Sequence, residues 1–163
     1  MAVADNDGLV TIVIRGMPVP VYLRASEHGD ELMREFALVA ASGAGAGAGT
    51  RGDVEVPARL TAVVEEMRGR FAGFTLQPEA ALADAAARGV DVVDLEYRLP
   101  PDAIQAAADL GDLLDEADEF CRTGDLLTLA TPAEALAFRR WFLGEFARQA
   151  AGEPPLAWSD WNG

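Results

Sequence analysis

The sequence predicts a helix-rich α+β fold: a single domain built from two strand-helix-helix repeats related by a pseudo-twofold axis. A pattern of six residues recurs in the same order 75 positions later, and the length of 163 residues suits one compact domain. Self-similarity of this kind is typical of duplicated structural units. The matched pairs are Pro57 and Pro132, Ala58 and Ala133, Ala62 and Ala137, Gly69 and Gly144, Phe71 and Phe146, and Ala72 and Ala147.

Two weaker matches outside this pattern set the boundaries of the repeats. Residues 21–24 match 95–98, and the acidic segment 31–35 resembles 112–116. We therefore place repeat one at about 17–74, a connecting helix at about 75–89, repeat two at about 90–152 and an aromatic tail at 153–163.

The first repeat begins with two β-rich runs, residues 10–14 and 19–23, around a breaker at 16–18. This pattern predicts a hairpin, in which Pro20 marks the second run as an edge strand. Ser26 can cap a following helix over about 27–40, where Leu32 and Phe36 are spaced for one buried face.

Glycine alternates with alanine over 43–49, so residues 42–50 are predicted to form a mobile linker. A narrow apolar stripe from Leu60 to Phe71 then predicts an amphipathic helix. An alanine-rich helix over about 78–88 ends at Gly89 and connects the repeats.

The second repeat starts with a predicted strand at 90–99, which two prolines end. A long helix follows from Asp102 to about Cys121, and residues 126–129 could form a short strand. Thr131, Pro132 and Glu134 have the pattern of a capped helix start. The aromatic side chains over 136–146 cover more than one stripe, so this last helix should be buried on two sides.

Composition excludes several classes of partner and compartment. A net charge of −14 argues against nucleic acid, because affinity for a phosphate backbone comes from cationic groups. The N-terminus has no signal-peptide pattern and no segment has 18 uninterrupted apolar residues, so we expect a cytoplasmic protein without a membrane partner. Cys121 is the only cysteine, which suits a reducing compartment and the role of a small buried hydrophobe.

No constellation of residues predicts catalysis, a metal or another cofactor. His28 is the only histidine, which excludes a histidine-rich metal site and any mechanism with two histidines. The acidic residues lack both the loop of a Ca²⁺ site and the Glu-x-x-His pattern of a helical di-metal site. No serine is paired with a base in a recognisable setting.

Two groups of charged residues are candidate binding residues. One face of the long helix carries Asp109, Asp112, Glu116 and Glu119, which form either a solvated surface or a surface that steers a basic partner protein. Arg24 and Arg98 end the matched strands of the two repeats. A pseudo-twofold axis could bring both guanidinium groups to one anion, or each could pair with an internal acid.

The chain ends in an aromatic tail, in which Trp158 and Trp161 follow a pair of prolines. Tryptophan is costly to leave in water. The tail therefore either folds back across its own domain, which we favour, or docks on a partner.

The segment EADEFCRTGDLLTLATP at 116–132, together with 138–146 and the Trp158 tail, resembles uncharacterised actinobacterial proteins associated with partner-switching regulators of sigma factors. The resemblance covers about a third of the chain and implies a signalling context. The asparagine-bearing helix and glycine-rich lid with which anti-sigma kinases bind ATP and Mg²⁺ are missing, so it does not imply kinase activity.

The sequence therefore favours a non-enzymatic regulatory module of bacterial signalling that binds a protein partner, such as another regulator. A homodimer is left open. The alternative is a small-ligand sensor whose pocket lies between the repeats, where Arg24 and Arg98 would bind an anion. An enzyme of unknown class ranks third.

Overall fold

A computed structural model of the chain describes residues 7–43, 52–123 and 130–162. Within these ranges it is a helix-rich α+β fold with four helices and one two-stranded antiparallel sheet, as the sequence predicts at this coarse level. The predicted strand at 126–129 and most of the predicted linker at 42–50 lie outside the described residues. The elements in chain order are β1 (Val10–Pro18), α1 (Val19–Gly43), α2 (Gly52–Ala87), β2 (Val92–Leu99), α3 (Pro101–Thr123), α4 (Ala133–Ala150) and a 3-10 turn (Trp158–Asp160).

The sheet pairs β1 with β2 and buries one face. Ile12 lies opposite Tyr97 and Ile14 opposite Leu95, and all four side chains are buried. The alternation of buried and exposed positions follows from the two-residue period of a strand. The register shifts between Ile14 and Met17, where Gly16 has a positive φ of 64° that glycine adopts without a steric penalty.

The first helix begins earlier than predicted, directly after Pro18. Residues 19–23 are helical, so the predicted hairpin is wrong. Residues 21–24 match the strand residues 95–98 in sequence but do not correspond to them in structure. Pro20 is compatible with the helix because the first four N–H groups of a helix have no partner within it. Ser26 lies inside α1 and is not its cap.

The second helix is continuous where two helices were predicted, since the expected connecting helix is the C-terminal part of α2. It contains Pro57 and Pro78. Pro78 has no N–H to donate to the carbonyl of Phe74, and such a proline kinks a helix. After α2 the chain turns at Gly89, whose φ of 65° is typical of a helix C-terminus, and Val90 N–H donates to Ala85 O at 2.9 Å.

The long helix α3 agrees with its prediction, but the predicted cap of α4 is wrong. The residue at the N-cap position is Pro132, and no side chain caps the helix. The Thr131 hydroxyl accepts a hydrogen bond from Arg139 at 3.5 Å instead of capping the helix, and the Thr131 backbone N–H donates to Asp118 Oδ1 at 3.2 Å. As predicted, α4 is buried on more than one side, since it contacts α1, α3 and β1.

The four helices pack in a closed ring, in which each contacts the next and α4 contacts α1. Strand β1 packs against α4 and strand β2 against α2. One core cluster joins the sheet to α4 and to the C-terminal part of α2, and a second joins α1, α2 and α3 around Phe36 and Leu60. None of the helices within the described ranges is both long and apolar enough to cross a bilayer.

Candidate functional site

The predicted acidic face is exposed on α3, and internal pairs use half of it. Arg59 of α2 donates to Glu116 at 3.1 Å, and Arg122 pairs with Glu119 at 3.0 Å. Asp109 accepts a hydrogen bond from the Gln105 amide at 2.9 Å. In the part of the chain that the structure describes, Asp109 and Asp112 form no ion pair. Neither carboxylate is therefore neutralised by an ion pair of its own.

Asp109, Asp112 and Glu116 line a groove of about 470 Å³ between α2 and α3, which we call the acidic groove. Arg59 also lines it, but this guanidinium group is paired with Glu116. Its base is apolar, with contributions from Val63 and Leu113. A carboxylate rim over an apolar base can attract a cationic side chain and bind its aliphatic stem.

The two candidate arginines are not on matching strand ends. Arg24 lies in α1 and donates to Glu134 Oε2 at 2.7 Å, whereas Arg98 lies in β2, 3.6 Å from Asp7. Each guanidinium group faces a carboxylate of its own chain. These contacts match the predicted alternative in which the arginines pair with internal acids.

The aromatic tail folds back onto its own domain, as favoured from the sequence. The Trp141 indole N–H donates to Leu156 O at 2.9 Å, and the ring centroids of Trp141 and Trp158 are 5.5 Å apart. Trp161 stacks on Trp158 with centroids 5.7 Å apart. All three tryptophans of the chain thus form one cluster with half-buried outer members.

A buried carboxylate, Glu145 of α4, holds the tail in place. Only 1% of its surface is exposed, and its oxygens accept hydrogen bonds from Arg148 (2.5 Å), Gln149 (3.0 Å) and the backbone N–H of Leu156 (2.9 Å). The Gln149 amide also bonds to both backbone groups of Val13, at 2.8 and 2.9 Å. The network therefore connects α4, the tail and β1.

A second buried carboxylate, Asp118 of α3, fixes the start of α4. Arg139 donates to Asp118 Oδ2 at 2.5 Å and to Asp115 Oδ1 at 2.6 Å. Burial alone would raise the pKa of Asp118, but hydrogen bonds from Thr131 and Arg139 outweigh it, so the pKa is lowered. These residues serve the fold. Cys121, one turn further on, is buried as predicted, and burial raises the pKa of its thiol.

A cavity of about 270 Å³ lies where the sheet meets the helices, and we call it the central cavity. Both predicted repeats contribute to its lining. Its polar groups are Tyr22 of α1, Thr75 and Glu79 of α2, and Tyr97 of β2. The remaining lining side chains are apolar: Met67, Phe71, Leu82, Leu99, Ala103, Ala107, Leu110, Phe142, Leu143 and Phe146.

A second cavity of about 240 Å³ adjoins the central cavity. Tyr22, Leu110 and Phe142 are among the side chains that line both. His28 lines the second cavity, and its Nε2 atom is shielded from solvent without a hydrogen-bond partner among the described residues.

The central cavity is lined by one charged side chain, Glu79, and by two phenols whose pKa values are raised chiefly by burial. Burial raises the pKa of Tyr97 most, and the Tyr22 phenol, once ionised, and the Glu79 carboxylate raise it further. Burial, followed by the Glu79 charge, likewise raises the pKa of Tyr22. Both phenols are therefore neutral hydrogen-bonding groups at pH 7, with the Glu79 carboxylate nearby.

The sequence indicated none of the cavity residues as functional. One available signal was that the chain has only two tyrosines and each falls in one of the weakly matched segments. Glu79 and the buried Glu145 carry no comparable signal, because both look like ordinary helical acids.

Comparisons of the chain with protein-family models, with curated proteins and with solved structures found no match. The residues that the structure describes contain no group of three or more His, Cys, Asp or Glu placed to hold a metal ion. Function therefore has to be inferred from the geometry described above.

Proposed function

We propose that the protein is a non-enzymatic regulatory module that binds a basic segment of a partner protein in the acidic groove. The observation that carries this proposal is the presence of two exposed carboxylates, Asp109 and Asp112, without an ion-pair partner in the described residues, at the rim of a groove with an apolar base. The net charge of −14 would add long-range attraction for a basic partner. A cytoplasmic signalling context rests on the resemblance to proteins associated with sigma-factor regulators.

We further propose that the fold is a duplicated unit with pseudo-twofold symmetry, in which α1 corresponds to α3 and α2 to α4. The order strand, helix, helix occurs twice, and each strand packs on the second helix of the other unit. The match of 31–35 with 112–116 pairs two buried leucines, Leu32 and Leu113. The offset of 75 pairs Leu60 with Ala135 and Phe71 with Phe146, all buried.

The partner proposal is tested by comparing two charge-matched variants as baits in a native lysate. The first, Asp109→Asn with Asp112→Asn, neutralises the rim of the acidic groove. The control, Glu55→Gln with Glu66→Gln, removes the same charge from exposed positions of α2. A specific partner should be captured by the wild type and by the control but not by the first variant.

The captured protein is then identified, purified and measured on a biosensor. Neutralising the groove should lower the on-rate roughly ten-fold at low salt and flatten its salt dependence, because charge steering acts mainly on association. An on-rate equal in both variants would overturn the assignment of the groove. A faster off-rate for the single variant Trp161→Ala, with helicity unchanged, would indicate that the tail also contributes to the interface.

A further inference from the structure

We propose that the central cavity binds a small hydrophobic amine, with its apolar part among the aromatic side chains and its ammonium group at Glu79. The proposal is independent of the acidic groove, which lies between α2 and α3 and shares no lining residue with this cavity.

The size of the cavity limits the apolar part of the ligand. An apolar cavity of about 150 Å³ can hold one benzene ring. By that scale, the 270 Å³ of the central cavity suits about ten non-hydrogen atoms, the size of a phenylethyl group with one polar atom.

The lining determines the charge of the ligand. Glu79 is the only charged side chain among the described residues that line the cavity. It is exposed and Thr75 is half-buried, whereas Phe71 and Leu82 on the same helix are buried, so the Glu79 side forms the mouth. A cation at the mouth would meet the carboxylate, and an anion would be repelled. This preference is opposite to that of the anion sensor suggested by Arg24 and Arg98, neither of which lines the cavity.

The aromatic wall favours the same class of ligand. The rings of Tyr97, Phe142 and Phe146 form a cluster, with centroids separated by 5.1–6.2 Å. These rings can pack against the apolar part of the amine, and aromatic faces attract an ammonium group within about 6 Å. The Tyr22 and Tyr97 phenols offer neutral oxygens that can accept a hydrogen bond from an ammonium group.

A proline inside α2 lies next to Glu79. Glu79 directly follows Pro78, which is buried inside α2. The proline leaves the Phe74 carbonyl without its usual helical donor, one residue before Thr75. The mouth of the cavity therefore coincides with one of the two positions at which a proline interrupts the backbone hydrogen bonding of α2.

The test uses three probes of nearly equal size: 2-phenylethylamine, 2-phenylethanol and 3-phenylpropionate, which are cationic, neutral and anionic at pH 7. Binding to the full chain is followed by calorimetry and by the methyl NMR signals of Ala103 and Ala107, which line the cavity. We expect the amine to bind with a Kd of about 1 mM or tighter. It should bind about five-fold more tightly than the alcohol, and the carboxylate should bind more weakly than both.

Two variants test whether the ammonium group of the probe lies at Glu79. Glu79→Gln should weaken binding of the amine about five-fold and leave that of the alcohol unchanged. The control Glu66→Gln removes an exposed charge from the same helix at a position that lines neither cavity, and it should leave both affinities unchanged. Because both positions are exposed, circular dichroism should show the same fold in both variants.

A third variant tests whether the apolar part of the amine lies in the central cavity. Ala107→Met fills the cavity from α3 and should abolish binding of the amine, with helicity as the check on folding. The proposal is overturned if the alcohol or the carboxylate binds as tightly as the amine, or if no probe shifts the Ala103 and Ala107 signals. It is equally overturned if Glu66→Gln weakens amine binding as much as Glu79→Gln does.

Discussion

Replacing Glu145 by alanine should destabilise the protein by about 3 kcal/mol, because this buried carboxylate accepts hydrogen bonds from three groups. The Leu156 N–H and the Gln149 amide would each lose an acceptor, at about 1 kcal/mol apiece. The one methylene removed contributes about 0.8 kcal/mol through burial. The lost pair with Arg148 contributes about 1 kcal/mol, because Arg148 keeps its pair with Glu153. Relief from burying a carboxylate offsets a small part of this sum.

The matched control is Glu153→Ala. Glu153 also pairs with Arg148, at 2.8 Å, but its side chain is 53% exposed. An exposed pair contributes about 1 kcal/mol or less, so the control should change stability little. The two variants thus compare the loss of a buried partner and of an exposed partner of the same arginine.

Thermal unfolding provides the assay. For a chain of this length, a loss of about 3 kcal/mol corresponds to a decrease in Tm of roughly 6–12 °C. Tryptophan emission should change together with helicity, because Glu145 holds the tail next to the tryptophan cluster. If Glu145→Ala is no more destabilising than Glu153→Ala, the assignment of Glu145 as the anchor of the tail is wrong.

Three further outcomes are expected. Phe146→Ala should cost about 3–5 kcal/mol in urea unfolding, since this ring packs against Tyr97 and Phe142, whereas the more exposed Phe74→Ala should cost about 1 kcal/mol or less. The stabilisation due to Asp118 should be complete above its unfolded-state pKa of about 4 and should disappear as the pH falls through its lower folded-state pKa. The difference in unfolding free energy between the wild type and Asp118→Asn should therefore shrink over that pH range. A difference that does not depend on pH would contradict the ion pair. Gly16→Ala should cost about 1 kcal/mol in the same assay because of the positive φ, and an unchanged stability would argue against the bulge.

The sequence predicted the elements whose pattern depends on local chemistry. The strand β2 and the helix α3 agree with it because alternation and a terminal pair of prolines are local signals. Residues 19–23 were misassigned because valines favour strands in isolation. Packing of this segment onto α4, through contacts such as Tyr22 with Phe138, overrides that preference.

The candidate sites could be predicted from the sequence less well than the fold. The acidic face of α3 follows from helical spacing, so Asp109 and Asp112 could be named as candidates from the sequence. The groove itself also needs α2, which the sequence does not place against this face. The central cavity could not be predicted, because it forms where five elements meet and depends on volumes that no local pattern encodes. The burial of Glu145 likewise depends on a tail that returns over α4 from eleven residues further along the chain.

The Gln149 amide protects part of β1 from pairing with a strand of another chain. Among the described residues the sheet has two strands, so each strand has an edge at which the backbone of another chain could add. At the middle of β1, both backbone groups of Val13 are already bonded to one glutamine side chain. The amide acts there as a substitute for a third strand, and an incoming chain would have to displace it together with the Glu145 network. A single side chain thus blocks this route to β-aggregation at that point on β1.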